Sequence, residues 1–188
     1  VSIAVILLLA GLVSGLARGG KLENIGKVDF RYSWLVFLGL AIQIGGQLAA
    51  EFLLPSLADS TTGLAILGVS YLVLVSFVVF NLRLPGAYLM GAGMLLNILV
   101  IGLNGGMPVS VDAVEAAGFD ATDYLETAFK HELMGPDTKL GFLGDIIPIP
   151  LIKTAVSIGD ILLGVGIFLL VDRAVRYAPR RAKGRGGA

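Results

Sequence analysis

Long apolar runs alternate with short polar segments along this chain, and the runs have the length of helices that cross a bilayer. Five are legible: Val1–Ala17, Ser33–Leu54, Gly63–Phe80, Pro85–Leu103 and Thr154–Asp172. A hydrocarbon core of roughly 30 Å takes about 20 residues at ~1.5 Å per residue, and four of the runs come close to that. The first reaches only about 25 Å. It is still read as a retained span entering from outside, because Arg18 and Lys21 follow it, whereas a secretory signal carries its charge in front. The pattern predicts an all-α polytopic bundle of five transmembrane helices over residues 1–172. Residues 104–153 form its outer segment and 173–188 a basic cytoplasmic tail.

Charge orients the bundle. Segment 18–33, segment 81–85 and the tail hold Arg18, Lys21, Lys27, Arg31 and Arg83 together with six residues beyond Asp172, which is eleven of the 14 basic residues. Segments 51–62 and 104–153 hold the other three and ten of the 14 acidic ones. Lysine and arginine accumulate on the cytoplasmic side, so the N-terminus is expected outside and the C-terminus inside. Trp34, Tyr88 and Pro85, the last read as a first-turn helix residue, suit the inner ends of their spans. The net charge of zero conceals a basic inner face and an acidic outer one.

Composition narrows the chemistry. A mean hydropathy of +0.87 with 56% hydrophobic and 15% charged residues belongs in lipid. The absence of cysteine and the single histidine exclude disulfides, thiolate sites and histidine-rich metal centres, so no metal or cofactor is expected. Six charges directly after a span suit anionic lipid at ~1 kcal/mol each, not nucleic acid. Small residues at fourfold spacing, Gly11/Gly15, Ala41/Gly45/Ala49 and Ala87/Gly91, let helices pack closely within the bundle or against another membrane protein. No internal repeat is visible, which disfavours a transporter built from repeats.

The outer segment opens on the turn cluster Asn104-Gly105-Gly106-Met107-Pro108-Val109-Ser110, with Ser110 as N-cap of a short helix near Val111–Ala117. A second, amphipathic helix is expected at about Ala121–Met134, lying on the outer membrane surface or capping the bundle. The run Gly141–Pro150 is too apolar for water and too rich in proline for a helix, which suits an interfacial or re-entrant loop.

Asp160 is the acid placed inside a span, where ionisable groups are costly. Counted from the outer end of the fifth run it lies about 9 Å deep, Asn97 and Gln47 near 10 Å, and Tyr71 at ~12 Å. These four, with Asn104, form the candidate ligand-binding set. His131 reads as a surface histidine.

The motifs Asn104–Ser110, His131 with Asp137–Leu140, Phe142–Pro148 and Ser157–Leu162 are similar to a family of bacterial multi-pass membrane proteins of unknown function. A partial resemblance links Asp145, the apolar loop after it and Asp160 to the C-terminal part of lipoprotein signal peptidases. That resemblance implies two aspartates activating water near the outer face, although the asparagine-rich and arginine-bearing motifs of those enzymes are absent. The leading expectation is a non-enzymatic accessory subunit or a small-ligand or lipid binder with a polar site near the outer face. A membrane aspartyl hydrolase using Asp145 and Asp160 is the alternative, and a transporter or channel component is third.

Overall fold

A computed structural model describes residues 3–54, 56, 61–120 and 131–177. Five long helices carry the chain: α1 (Ile3–Ala17), α2 (Trp34–Phe52), α3 (Thr61–Phe80), α4 (Ala87–Asn104) and, after a short α5 (Val111–Ala116), α6 (Ile158–Val175). Among the described residues, α2, α3 and α4 are long and apolar enough to cross a membrane, and α1 is a shorter apolar helix. Their outward faces remain apolar: Phe37 and Phe52 of α2, Leu72 of α3 and Leu95 of α4 are more than half exposed. Apolar surface of this extent marks contact with a membrane or a partner.

The helices pack in the order α2, α3, α4, α6, α1, so the last helix sits between the first and the fourth. Glycine makes these approaches possible. Gly11 of α1 rests on the Phe168 backbone, where a Cβ would come within 2.7 Å of the carbonyl oxygen, and Gly15 lies against Asp172 and Val175. Gly93 of α4 meets the backbone of Gly159 and Leu163 in α6. The pair Gly11/Gly15 is thus spent inside the bundle. On α2, however, the buried small residues are Gly39, Gly46 and Ala50, which leaves the Ala41/Gly45/Ala49 row on the other side with open space at Gly45.

One end of the bundle is basic. The turn Leu22–Lys27 is tied to the end of α6 by Lys21 N–H to Val175 O (3.0 Å) and Asn24 Nδ2 to Val175 O (2.9 Å). Asn81, 1% exposed, joins the turn after α3 to the segment before α2 through two hydrogen bonds with the Arg31 backbone, and Arg83 pairs with Asp29 at 2.6 Å. Asp172, 2% exposed, takes both Arg18 and Arg176.

The opposite end carries a compact cap. Strand β1 (Met107–Val109) pairs in parallel with β2 (His131–Leu133), and Val109 bridges to Asp145 on its other side. Strands β3 (Ile147–Ile149) and β4 (Thr154–Val156) form an antiparallel pair across the one-turn segment Pro150–Ile152. Ser110 caps α5, accepting from Ala113 N–H, and Gly118 follows its end at φ +81°.

Four expectations change here. Residues 131–133 are strand rather than helix, because β1 supplies them with backbone partners; the remainder of the expected helix, 121–130, lies outside the described residues. The last helix starts at Ile158, since Thr154–Val156 are held by β3, and it runs on to Val175. Pro85 precedes α4 instead of opening it, with left-handed Gly86 as N-cap. The apolar loop after Gly141 is a hairpin, which satisfies backbone groups that proline prevents a helix from pairing.

Candidate functional site

Helix α6 begins with a reciprocal cap. Ser157 Oγ accepts from Asp160 N–H at 2.9 Å, and Ser157 N–H donates to Asp160 Oδ2 at 3.2 Å. An acid three residues past the cap satisfies a free N–H and faces the positive end of the helix dipole. Asp160 is therefore in the first turn of α6, not six residues into it, and lies only about 4 Å past the helix start. Its position has a local reason, and the Ser157-Ile158-Gly159-Asp160 spacing is the sequence signal for it.

Asn97 of α4 locks this cap to the neighbouring helix. Its Nδ2 donates to Asp160 Oδ1 at 2.8 Å, and its Oδ1 accepts from Ser157 Oγ at 3.1 Å. Tyr71 of α3 lies beside Asn97. Asn97 and Ser157 are fully buried, while Asp160 is half-buried. Gly159 makes the arrangement possible, because a Cβ there would occupy the place of the Asn97 side chain.

The cap brings Asp145 to the same point. Its backbone is fixed along the edge of β1 away from β2, with Asp145 N–H donating to Pro108 O (2.8 Å) and Ser110 N–H to Asp145 O (3.0 Å). The side chain is 3% exposed. Oδ2 lies 3.4 Å from His131 Nε2, and Oδ1 has no hydrogen-bond partner among the described residues. The Asp160 carboxyl is near enough for its charge to act on Asp145. Burial pushes the Asp145 carboxyl above the ordinary value of 3.8; the His131 hydrogen bond opposes this, and the Asp160 charge adds to it.

A carboxyl whose folded value lies above its unfolded one holds its proton more tightly in the folded state. The stability this confers is fully present below the unfolded value and is lost as pH rises through the folded one. Relative to the native chain, Asp145→Asn is therefore expected to gain in unfolding midpoint as pH goes from about 4 to about 8. Thermal melts of the two proteins across that range check this, and parallel pH profiles contradict it.

Of the five residues proposed from the sequence, Tyr71, Asn97 and Asp160 come together. Gln47 does not: it is exposed on α2, whose packing partner is α3, and equal depth on a helix carries no information about facing. Asn104 serves elsewhere, bonding Val100 O, Lys139 O and Lys139 N–H to fasten the cap to the end of α4. His131 is half-buried beside Asp145, not free on the surface. No cluster of three or more histidine and acidic groups suited to a metal occurs among the described residues.

The chain belongs to the Family of unknown function (DUF5317), whose model matches residues 27–172. It is 28% identical over 176 residues to an uncharacterised protein of Thermotoga maritima, covering 92% of this chain and 91% of that one. No solved structure matches it.

Proposed function

With membership of that family as the premise, we propose that the chain is a five-span integral membrane protein of the bacterial inner membrane, N-terminus outside. Its paired carboxylates bind a small ligand at the outer face. The observation that carries the reading is the convergence of Asp145, from the cap, on Asp160, at the head of the last helix. Two neighbouring acidic groups, with Asn97 and Tyr71 behind them, form a site rich in acceptors. It suits a ligand that brings N–H donors or positive charge, such as a primary ammonium group. Asp160 is the half-buried member and so the one a ligand meets first.

A membrane aspartyl hydrolase is the second reading, favoured by the unequal surroundings of the pair. Asp145 is buried beside His131, whereas Asp160 accepts hydrogen bonds from Asn97 and from the Ser157 backbone. Unequal carboxylates can divide the acid and base roles. The burial of Asp145 weighs against it, since hydrolysis needs water and a peptide bond at both groups.

The test uses the full chain in neutral detergent. Ethanolammonium is expected to raise its melting temperature more than tetramethylammonium, which lacks N–H donors, and Asp160→Asn is expected to abolish the difference. Equal responses to both cations contradict the binding reading. Cleavage of a lipid-anchored peptide, lost in both Asp145→Asn and Asp160→Asn, would establish the hydrolase instead. Orientation is checked separately, because an introduced cysteine has no native competitor. Asp120→Cys is expected to react with an impermeant maleimide from outside the cell, and reaction from the cytoplasmic side alone would reverse the topology.

A further inference from the structure

The basic end of the bundle holds a second site. A cavity of about 540 Å³ opens between the turn Leu22–Lys27 and the end of α6, and its lining includes Arg18, Lys21, Lys27 and Arg176. A second, mostly apolar hollow of about 410 Å³ adjoins it, lined by Val28, Leu84, Pro85 and Leu170 with Arg173 at its edge. The two share Arg176 and Tyr177. A charged chamber and an apolar groove thus meet at one wall.

The charges leave the chamber in surplus. Asp172 takes Arg18 and Arg176, and Glu23 takes Lys27 at 3.3 Å. Four cations stand against two acids, and Lys21 has no acid partner among the described residues. The chamber is also fixed in shape: its floor is tied to α6 through the hydrogen bonds of Lys21 and Asn24 to Val175 O. Preformed donors reduce the ordering cost of binding an anion.

We propose that this pair of cavities is a phospholipid site: an anionic phosphate headgroup sits among Arg18, Lys21, Lys27 and Arg176, and an acyl chain lies along Val28, Leu84 and Leu170. Guanidinium and ammonium groups at one point suit phosphate. A free phosphate would use the chamber alone, whereas the groove beside it fits a ligand with a hydrocarbon tail. Exposed Tyr177, at the junction, is the kind of amphipathic ring that settles at headgroup level. The site lies at the basic end, which the charge pattern assigns to the cytoplasmic leaflet. It uses none of the groups around Asp160, so it stands or falls apart from the ligand reading.

Native mass spectrometry of the full chain in neutral detergent tests it, with phosphatidylglycerol, phosphatidylcholine and inorganic phosphate as separate probes. Arg18 and Arg176 are left in place because they compensate buried Asp172. Phosphatidylglycerol is expected to bind more tightly than phosphatidylcholine. Lys21→Gln/Lys27→Gln should weaken phosphatidylglycerol roughly 30-fold, and Leu84→Gln should weaken both lipids. Arg180→Gln/Arg181→Gln, in the tail, should have the smaller effect. Unchanged phosphatidylglycerol binding in the lysine variant, or loss in the tail variant alone, would overturn the site. Inorganic phosphate binding as tightly as the lipid, with Leu84→Gln without effect, would make it a free-anion site and overturn the lipid assignment.

Discussion

An Arg18→Ala/Arg176→Ala double variant is expected to lose about 1–3 kcal/mol of stability, the cost of leaving the Asp172 carboxylate without its charged partners. Arg18 is itself half exposed, so the pair is partly screened by solvent. Asp172 is 2% exposed, and these two guanidinium groups are its charge-bearing neighbours from α1 and from its own helix. Either arginine alone still serves the carboxylate, so each single variant should cost less than half as much. Adding Asp172→Asn to the double variant removes the stranded charge and should recover most of the loss. Thermal unfolding of the four variants and the native chain in one detergent decides the matter. A double variant no less stable than the singles would mean that Asp172 is solvated.

The second large effect lies at the crossing of α4 and α6. Gly159→Ala places a methyl group where the Asn97 side chain stands and 2.8 Å from Gly93 O. Overpacking of this kind costs about 1–3 kcal/mol. Displacing Asn97 also takes a donor from Asp160 and the acceptor from Ser157 Oγ, with a further cost of roughly 1–3 kcal/mol per buried group left unsatisfied. Gly45→Ala is the control. A Cβ there meets open space, so the variant should be neutral or gain up to about 1 kcal/mol from helix propensity. Equal melting temperatures for the two variants would show that the helices do not approach through Gly159.

Much of this framework is legible in the chain. The long helices follow from apolar runs because length and hydropathy act through composition, which any window of sequence carries. The short helix after Ser110 was legible for a similar reason, since a cap and a terminating glycine are local. What sequence leaves out is orientation around each helix axis. Tyr71, Asn97 and Gln47 are expected at similar depths from the sequence, yet α2 turns Gln47 outward because Gly39, Gly46 and Ala50 are the residues that admit α3. Long-range pairing is equally silent: His131 meets Asp145 only because β1 lies between their segments and pairs with both. Asp172 reads as the inner end of a span, and nothing near it in the sequence names Arg18.

The fifth apolar run shows how local and tertiary signals compete. Hydropathy starts it at Thr154, whereas pairing with Ile147–Ile149 takes the first residues into a hairpin. The helix then begins where Ser157 and Asp160 cap each other. That shift changes the meaning of Asp160, from a deep acid needing a functional reason to a first-turn residue with a structural one. Its further engagement with Asn97 and Asp145 is what exceeds capping, because a cap needs neither.

The coupling of the two carboxylates is the point on which the proposed site at the capped end depends, and an infrared titration of Asp145 tests it most directly. The carboxyl band is isolated as the difference between the native chain and Asp145→Asn, and its midpoint is followed in the presence and absence of the Asp160 charge. The midpoint is expected above the ordinary 3.8 and is expected to fall when Asp160→Asn removes the neighbouring charge. A midpoint indifferent to Asp160→Asn would contradict the paired site.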